Sequence, residues 1–296
     1  MTVFITGSTG FIGSVVAATL HRHGYDVLAL ARSHASASRL KTKGYRVLRG
    51  DLTDTAILAD GARQADGVIH LGLRNEGDIA GTDAADVRAM LAAIAGTTKP
   101  FIYTSGVWVL GATTGAPADE GAPLAPIPLI AWRGEVEPVV LAADARGVVL
   151  RPGVVHGRGG GIPAMFTTSG RGRGAVRLVE PGTQRWPFVH VDDLADLYMR
   201  ALDAPGGTVL HGISEPAVRV RDVAEAASHA AGVPGRIEPW SLADARTELG
   251  AFADALALDQ HVESTIAQRV LGWEPQRPGI LEELREGSYV PLAEQH

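Results

Sequence analysis

Three glycines in seven residues open the chain's strongest chemical signal, Thr6-Gly7-Ser8-Thr9-Gly10-Phe11-Ile12-Gly13. The run lies between a short β-branched strand, Thr2–Thr6, and a segment, 11–23, whose apolar residues recur at helical spacing. Gly7 permits a tight turn, Gly10 lets the backbone approach a pyrophosphate, and Gly13 lets the helix pack against the strand. The helix start adds unpaired N–H groups and partial positive charge for phosphates. Ser8, Thr9, Phe11 and Ile12 complete the expected cradle. A ligand-free strand–helix turn is the alternative reading of the same glycines.

The end of the second strand reports on the cofactor. It reads Ala29-Leu30-Ala31-Arg32-Ser33, with no carboxylate to accept from ribose hydroxyls and with one guanidinium. That suits a 2′-phosphate, so NADP, with NADPH preferred over NADH, is the expected cofactor. Arg39 adds a second cation. Asp51 and Leu52 follow the third strand and are expected near the adenine ring, although Asp51 serves equally well as a helix N-cap.

The elements that would position these groups alternate. Strands are expected at Thr2–Thr6, Asp26–Ala31, Arg46–Arg49, 67–71, Pro100–Thr104 and 148–150. Helices are expected at 11–23, 35–43, 51–61, 83–96 and 133–145. This order predicts an α/β fold, a Rossmann-type doubly wound parallel sheet. The second half predicts a smaller C-terminal α/β substrate lobe. The core is read as 1–155 with 186–203 returning to it, and the lobe as 156–185 and 204–296. Within the lobe, helices are expected at 220–231, Leu242–Leu249 and 278–287, and strands at 209–212 and 236–239. A helix over 191–202 is expected, with Asp192 as its N-cap. Residues 153–174 hold eight glycines and read as a loop, with Gly170-Arg171-Gly172-Arg173-Gly174 over an anionic ligand.

Composition narrows the function. The 296 residues carry a net charge of −6, which argues against a general nucleic-acid binder. There are no cysteines, so disulfides and thiolate chemistry are excluded. The ten histidines are scattered, and no metal site is expected. No apolar run reaches a bilayer's width, and a strand that begins at Thr2 leaves no room for a signal peptide. A cytoplasmic protein with a small-molecule substrate and no membrane partner is expected, and a homodimer is possible.

The order of motifs resembles the extended short-chain dehydrogenase/reductase superfamily, which includes sugar-nucleotide epimerases and dehydratases. The resemblance rests on residues 6–13, Gly50-Asp51-Leu52, Tyr103-Thr104-Ser105-Gly106, the run from Leu150 to Gly159, Trp186-Pro187-Phe188-Val189-His190-Val191-Asp192-Asp193, and Leu271-Gly272-Trp273-Glu274-Pro275. It covers almost the whole chain. The family's Tyr-x-x-x-Lys pair is missing. With Glu137 at the family's glutamate, Arg133 stands at the lysine and Leu129 at the tyrosine. The tyrosines on either side are Tyr103 and Tyr198.

The resemblance implies that Arg133 holds the nicotinamide ribose and that Pro152 and Val155 lie against the cofactor. Arginine is a poor proton donor, so other groups must do the acid–base work. Ser105 could polarise a carbonyl, or cap its strand. His156 replaces an aromatic and could donate a proton, or be structural. His190 is expected to be structural. Trp108, Trp132 and Trp186 are expected to flank the substrate. These readings give an NADP-dependent oxidoreductase for a small carbonyl, enone or imine. The alternative is a non-catalytic NADP(H)-binding sensor, and a sugar-nucleotide epimerase or dehydratase fits less well.

Overall fold

Runs of Val, Ile, Leu and Ala with little polar alternation form buried parallel strands, because helices cover both sheet faces. A computed structural model describes residues 1–74, 76–113 and 115–291. In chain order the first half is β1 (Thr2–Thr6), α1 (Phe11–Arg22), β2 (Asp26–Ala31), α2 (His34–Thr42), β3 (Arg46–Arg49), α3 (Thr55–Gln64), β4 (Gly67–His70), α4 (Ile79–Ala93), β5 (Pro100–Thr104), α5 (Ala131–Leu141) and β6 (Arg146–Pro152). The second half is β7 (Val154–His156), α6 (Gly161–Arg173), β8 (Val176–Val179), β9 (Arg185–His190), α7 (Val191–Ala201), β10 (Thr208–Gly212), β11 (Glu215–Arg219), α8 (Val220–Ala230), β12 (Ile237–Trp240), α9 (Leu242–Leu249), α10 (Phe252–Ala257), α11 (Ile266–Leu271) and α12 (Ile280–Glu286).

Seven strands form one sheet in the order β10-β6-β5-β4-β1-β2-β3, every pair parallel. Strand order reverses between β1 and β4, so a crevice opens beyond their carboxyl ends. One face packs apolar residues of α1, α2 and α7, including Val16, Leu20, Leu40 and Leu194. The other packs Leu58 of α3, Met90 of α4 and Val140 of α5. Each fully buried Leu or Val contributes roughly 1.5–3 kcal/mol against exposure. The expected doubly wound sheet is present.

The lobe has its own apolar cluster, built on Phe166, Trp186, Val223 and Leu284. It holds a three-stranded sheet, β11-β9-β7, and a parallel pair, β12-β8. Four expectations need correction. The strand near 209–212 belongs to the main sheet, where Leu210 pairs with Leu150 of β6. Of the returning segment 186–203, α7 packs on the core, but β9 pairs with lobe strands. The glycine-rich run is no loop throughout: α6 occupies 161–173 and ends at Gly174, whose left-handed φ of 77° closes the helix. Arg171 there donates to the carbonyls of Ala230 and Tyr289, bracing the lobe. Lastly, α7 is capped by His190, whose Nδ1 accepts from the Asp192 amide at 3.1 Å. Asp192 instead binds Arg158 at 2.6 Å.

Candidate functional site

The glycine turn joins β1 to α1 at the crevice. Gly7 has a left-handed φ of 73°, and a Cβ there would come within 2.7 Å of the Leu71 carbonyl. A Cβ on Gly13 would collide with the Gly7 carbonyl. Turn geometry and close helix packing therefore demand the first and third glycines, as the spacing predicted. The Ser8 hydroxyl is buried in this turn without a hydrogen-bond partner, an unsatisfied group of the kind a ligand phosphate would engage.

Two cavities meet at Gly7 and Gly10. The first, about 680 Å³, is lined by Thr9, Arg32, Ser33, Ser36, Arg39, Asp51 and Leu52. Arg32 is exposed, and its Nε stands 4.0 Å from Asp51, too far for a hydrogen bond, so its donors are open to an anion. Ser33 and Ser36 cap α2 reciprocally, which sets the chain direction beside Arg32. Asp51 is not the α3 cap. That role falls to Asp54, which accepts from the Ile57 amide at 3.1 Å. Asp51 accepts from the Thr53 amide and hydroxyl, and Arg74 lies 3.4 Å away. The Thr53 bonds and the nearby guanidinium charges hold its carboxyl below the usual range.

The second cavity, about 640 Å³, runs along the ends of β5 and β6. Phe11, Ile12, Ser105, Trp108, Leu129, Trp132, Arg133, Pro152 and Val155 all line it. Ser105 is buried, and its hydroxyl has no partner. Arg133 donates to the Thr104 carbonyl, with its guanidinium 5.8 Å from the Tyr103 ring centre and 5.7 Å from that of Trp132. Trp108 meets Phe252 of α10 edge-on at 6.0 Å, joining this wall to the lobe. Glu137 does not face the cleft. It is buried in an ion pair with Arg151 at 2.5 Å.

Two expected site residues lie elsewhere. His156 is fully buried and does not line the cleft. Both ring nitrogens lack a hydrogen bond, and burial, helped by the nearby His190, drives its pKa down to about 3. A neutral, enclosed imidazole is no proton donor to a substrate, so that assignment is withdrawn. Trp186 stacks on Phe166 inside the lobe, with ring centres 6.0 Å apart. Alternation along β9 turns it into the lobe core rather than toward the cleft.

Sequence reasoning missed a buried polar hub behind the cleft. Asp83 accepts from the Tyr103 hydroxyl at 2.5 Å and from the Trp132 indole at 3.2 Å. His70 lies 3.4 Å from Asp83 and 2.8 Å from the Thr6 hydroxyl, immediately before the glycine turn. Burial would raise the Asp83 pKa, but the His70 and Tyr103 bonds and the Arg133 charge outweigh it and hold it low. Asp86, one turn on, is raised to about 7 by burial and by the Asp83 charge. The legible signal was an aspartate pair on the apolar face that carries Val87 and Met90.

A family model described as NAD dependent epimerase/dehydratase matches residues 3–211. The chain belongs to that family. A Saccharomyces cerevisiae protein, uncharacterized protein YLL056C, is 34% identical over 96% of this chain and 98% of its own length. A 3-diazoavenalumate denitrifying reductase from a Streptomyces species is 29% identical, covering 94% of this chain and 97% of its own. The crystal structure of human epimerase family protein SDR39U1 (isoform 2) with NADPH superposes with a TM-score of 0.77 at 22% identity, covering 97% of this chain and 99% of that one. This epimerase/dehydratase-family chain is thus an extended short-chain dehydrogenase/reductase-like protein with the family's fold. No described helix is long and apolar enough to cross a membrane.

Proposed function

We propose that the protein is an NADP-dependent reductase of a small carbonyl, enone or imine. The observation that carries this reading is the second cavity, where the glycine turn, the partnerless Ser105 hydroxyl and the Arg133 guanidinium share one apolar-walled space. The residues present fit a dinucleotide, because the turn's glycines leave no room for side chains and Ser8 waits without a partner. When bound, the cofactor supplies hydride. Arg32 and Arg39 hold the 2′-phosphate, and Arg133 holds the nicotinamide ribose. The Ser105 hydroxyl donates to the substrate's carbonyl oxygen or imine nitrogen and polarises it. Trp108 and Trp132 orient the substrate. With His156 enclosed, the proton that completes reduction comes from water at the open cleft.

The reductase named among the relatives supports this class of chemistry. Titrating NADPH and NADH, then following NADPH oxidation with aldehydes, ketones, enones and imines, tests the reading. Tight NADPH binding and turnover of one class is the expected result. Tight binding with no turnover across the panel would favour the sensor.

A further inference from the structure

Buried polar side-chain atoms without partners occur at several places among the described residues, Asp86 and His156 included, and three of them share one pocket. Ser8 and Ser105 mark the cofactor turn and the cleft. Gln184 Oε1, Trp186 Nε1 and Trp240 Nε1 mark the lobe, and all three side chains line a separate pocket of about 170 Å³. Gln184 and Trp186 are 3% and 2% exposed. Each such orphan costs about 1–3 kcal/mol, so three around one pocket call for an occupant.

The pocket's chemistry describes that occupant. Phe166 and Trp186 form a nearly parallel aromatic wall, at 4°. The Arg177 guanidinium lies 3.4 Å from the Trp240 ring centre, making a second flat face. The space compares with an engineered cavity of about 150 Å³ that takes a benzene ring. It suits one or two fused rings rather than a nucleoside diphosphate. Two indole N–H groups seek acceptors, and the Gln184 oxygen seeks a donor. At the rim, Arg177 and Arg173 share one carboxylate, Glu248, at 2.7 and 3.9 Å. One positive charge is left over, and Arg173 is exposed. Ile162 lines both this pocket and the cleft, so the two spaces adjoin.

We propose that the lobe pocket binds a hydroxylated aryl carboxylate, the distal head-group of the substrate whose carbonyl or imine reacts at the cleft. The ligand's role as a substrate head-group rests on the reductase reading, whereas binding at the pocket does not. The full chain is titrated with 6-hydroxy-2-naphthoate, followed by tryptophan fluorescence, and separately with NADPH. Saturable binding is expected. It should weaken at least tenfold in Arg173→Glu, a rim change that leaves the core untouched. The neutral analogue 6-(hydroxymethyl)-2-naphthol should bind at least tenfold more weakly than the naphthoate and ignore that variant. Naphthoate should also compete with any substrate turned over. Absent binding, indifference to Arg173→Glu, non-competitive inhibition, or a preference for uridine diphosphate would overturn the proposal. Failure of naphthoate with normal NADPH binding sinks the pocket alone. The reverse result sinks the reductase reading alone.

Discussion

At Arg32 one guanidinium stands exposed where a carboxylate would favour NADH. Arg32→Ala should narrow the gap between NADPH and NADH affinities by about 1–3 kcal/mol, the value of a lost charge-assisted hydrogen bond. Titration of both cofactors against both proteins checks this, and equal wild-type affinities would refute the assignment. Two other residues set opposite pH dependences of stability. The folded pKa of His156 is about 3, against about 6.5 unfolded. The unfolded chain therefore binds the extra proton, and stability falls as pH drops below about 6.5. The folded pKa of Asp86 is about 7, far above the ordinary 3.8 of an aspartate. Here the folded chain binds the extra proton, so stability falls as pH rises from about 4 to 7. At about 1.4 kcal/mol per unit, the effect between pH 5 and 8 is about 2 kcal/mol for His156 and about 3 kcal/mol for Asp86. Relative to wild type, Asp86→Asn should gain stability with rising pH and His156→Phe should lose it. Urea unfolding at pH 5 and 8 reads both slopes, and parallel curves for all three proteins would contradict the argument.

Two helices carry the cleft's far wall. Arg133, in the first turn of α5, and Leu129, in the 3-10 turn 128–130 that leads into it, both line the cavity. Arg133→Ala should weaken NADPH binding at least tenfold, whereas Leu129→Ala, which removes only apolar surface, should leave it within about twofold. Equal effects in a fluorescence titration would remove Arg133 from the ribose site. Helix α4 contributes the Asp83 hub. Asp83→Leu keeps roughly the shape but removes the one carboxylate oxygen to which both the Tyr103 hydroxyl and the Trp132 indole donate. The variant should lose about 1–3 kcal/mol in denaturant unfolding, the cost of a buried unsatisfied group. An unchanged midpoint would show that the hub contributes nothing to the fold.

Across the whole molecule, the chain crosses between core and lobe more than once. Strand β10 returns to pair with β6, and Trp273, nearly fully buried, donates to the Asp193 carbonyl of α7 at 2.9 Å. Asp193 also accepts from the Gln276 and Arg277 amides. A fragment ending at residue 203 would expose the β6 edge and remove Trp273 from the core. It should lack a cooperative unfolding transition, because unpaired buried strand edges aggregate. Calorimetry on fragment and full chain decides this, and a sharp transition in the fragment would show that the core folds without the returning strand.

Local signals were enough for the core strands and the cofactor turn. Period, β-branching and glycine placement act over a few residues, and the α1, β2, β3 and β5 readings needed nothing from afar. Arg32, Arg133, Trp108 and Trp132 reach the cavities because each sits near the end of an element whose direction the alternation already dictated. What tertiary structure alone decided depends on contacts between distant segments. Glycine density suggested a loop at 153–174, yet packing of Phe166 and Gly170 against the lobe supports a helix. His156 carries a proton-donor's side chain, but surrounding strands enclose it and keep it neutral. Trp186 follows the parity of β9, whose partners lie over 25 residues away in sequence, in β7 and β11. The Asp83 hub joins β1, β4, α4, β5 and α5, and a network of hydrogen bonds across five elements leaves no local pattern to read.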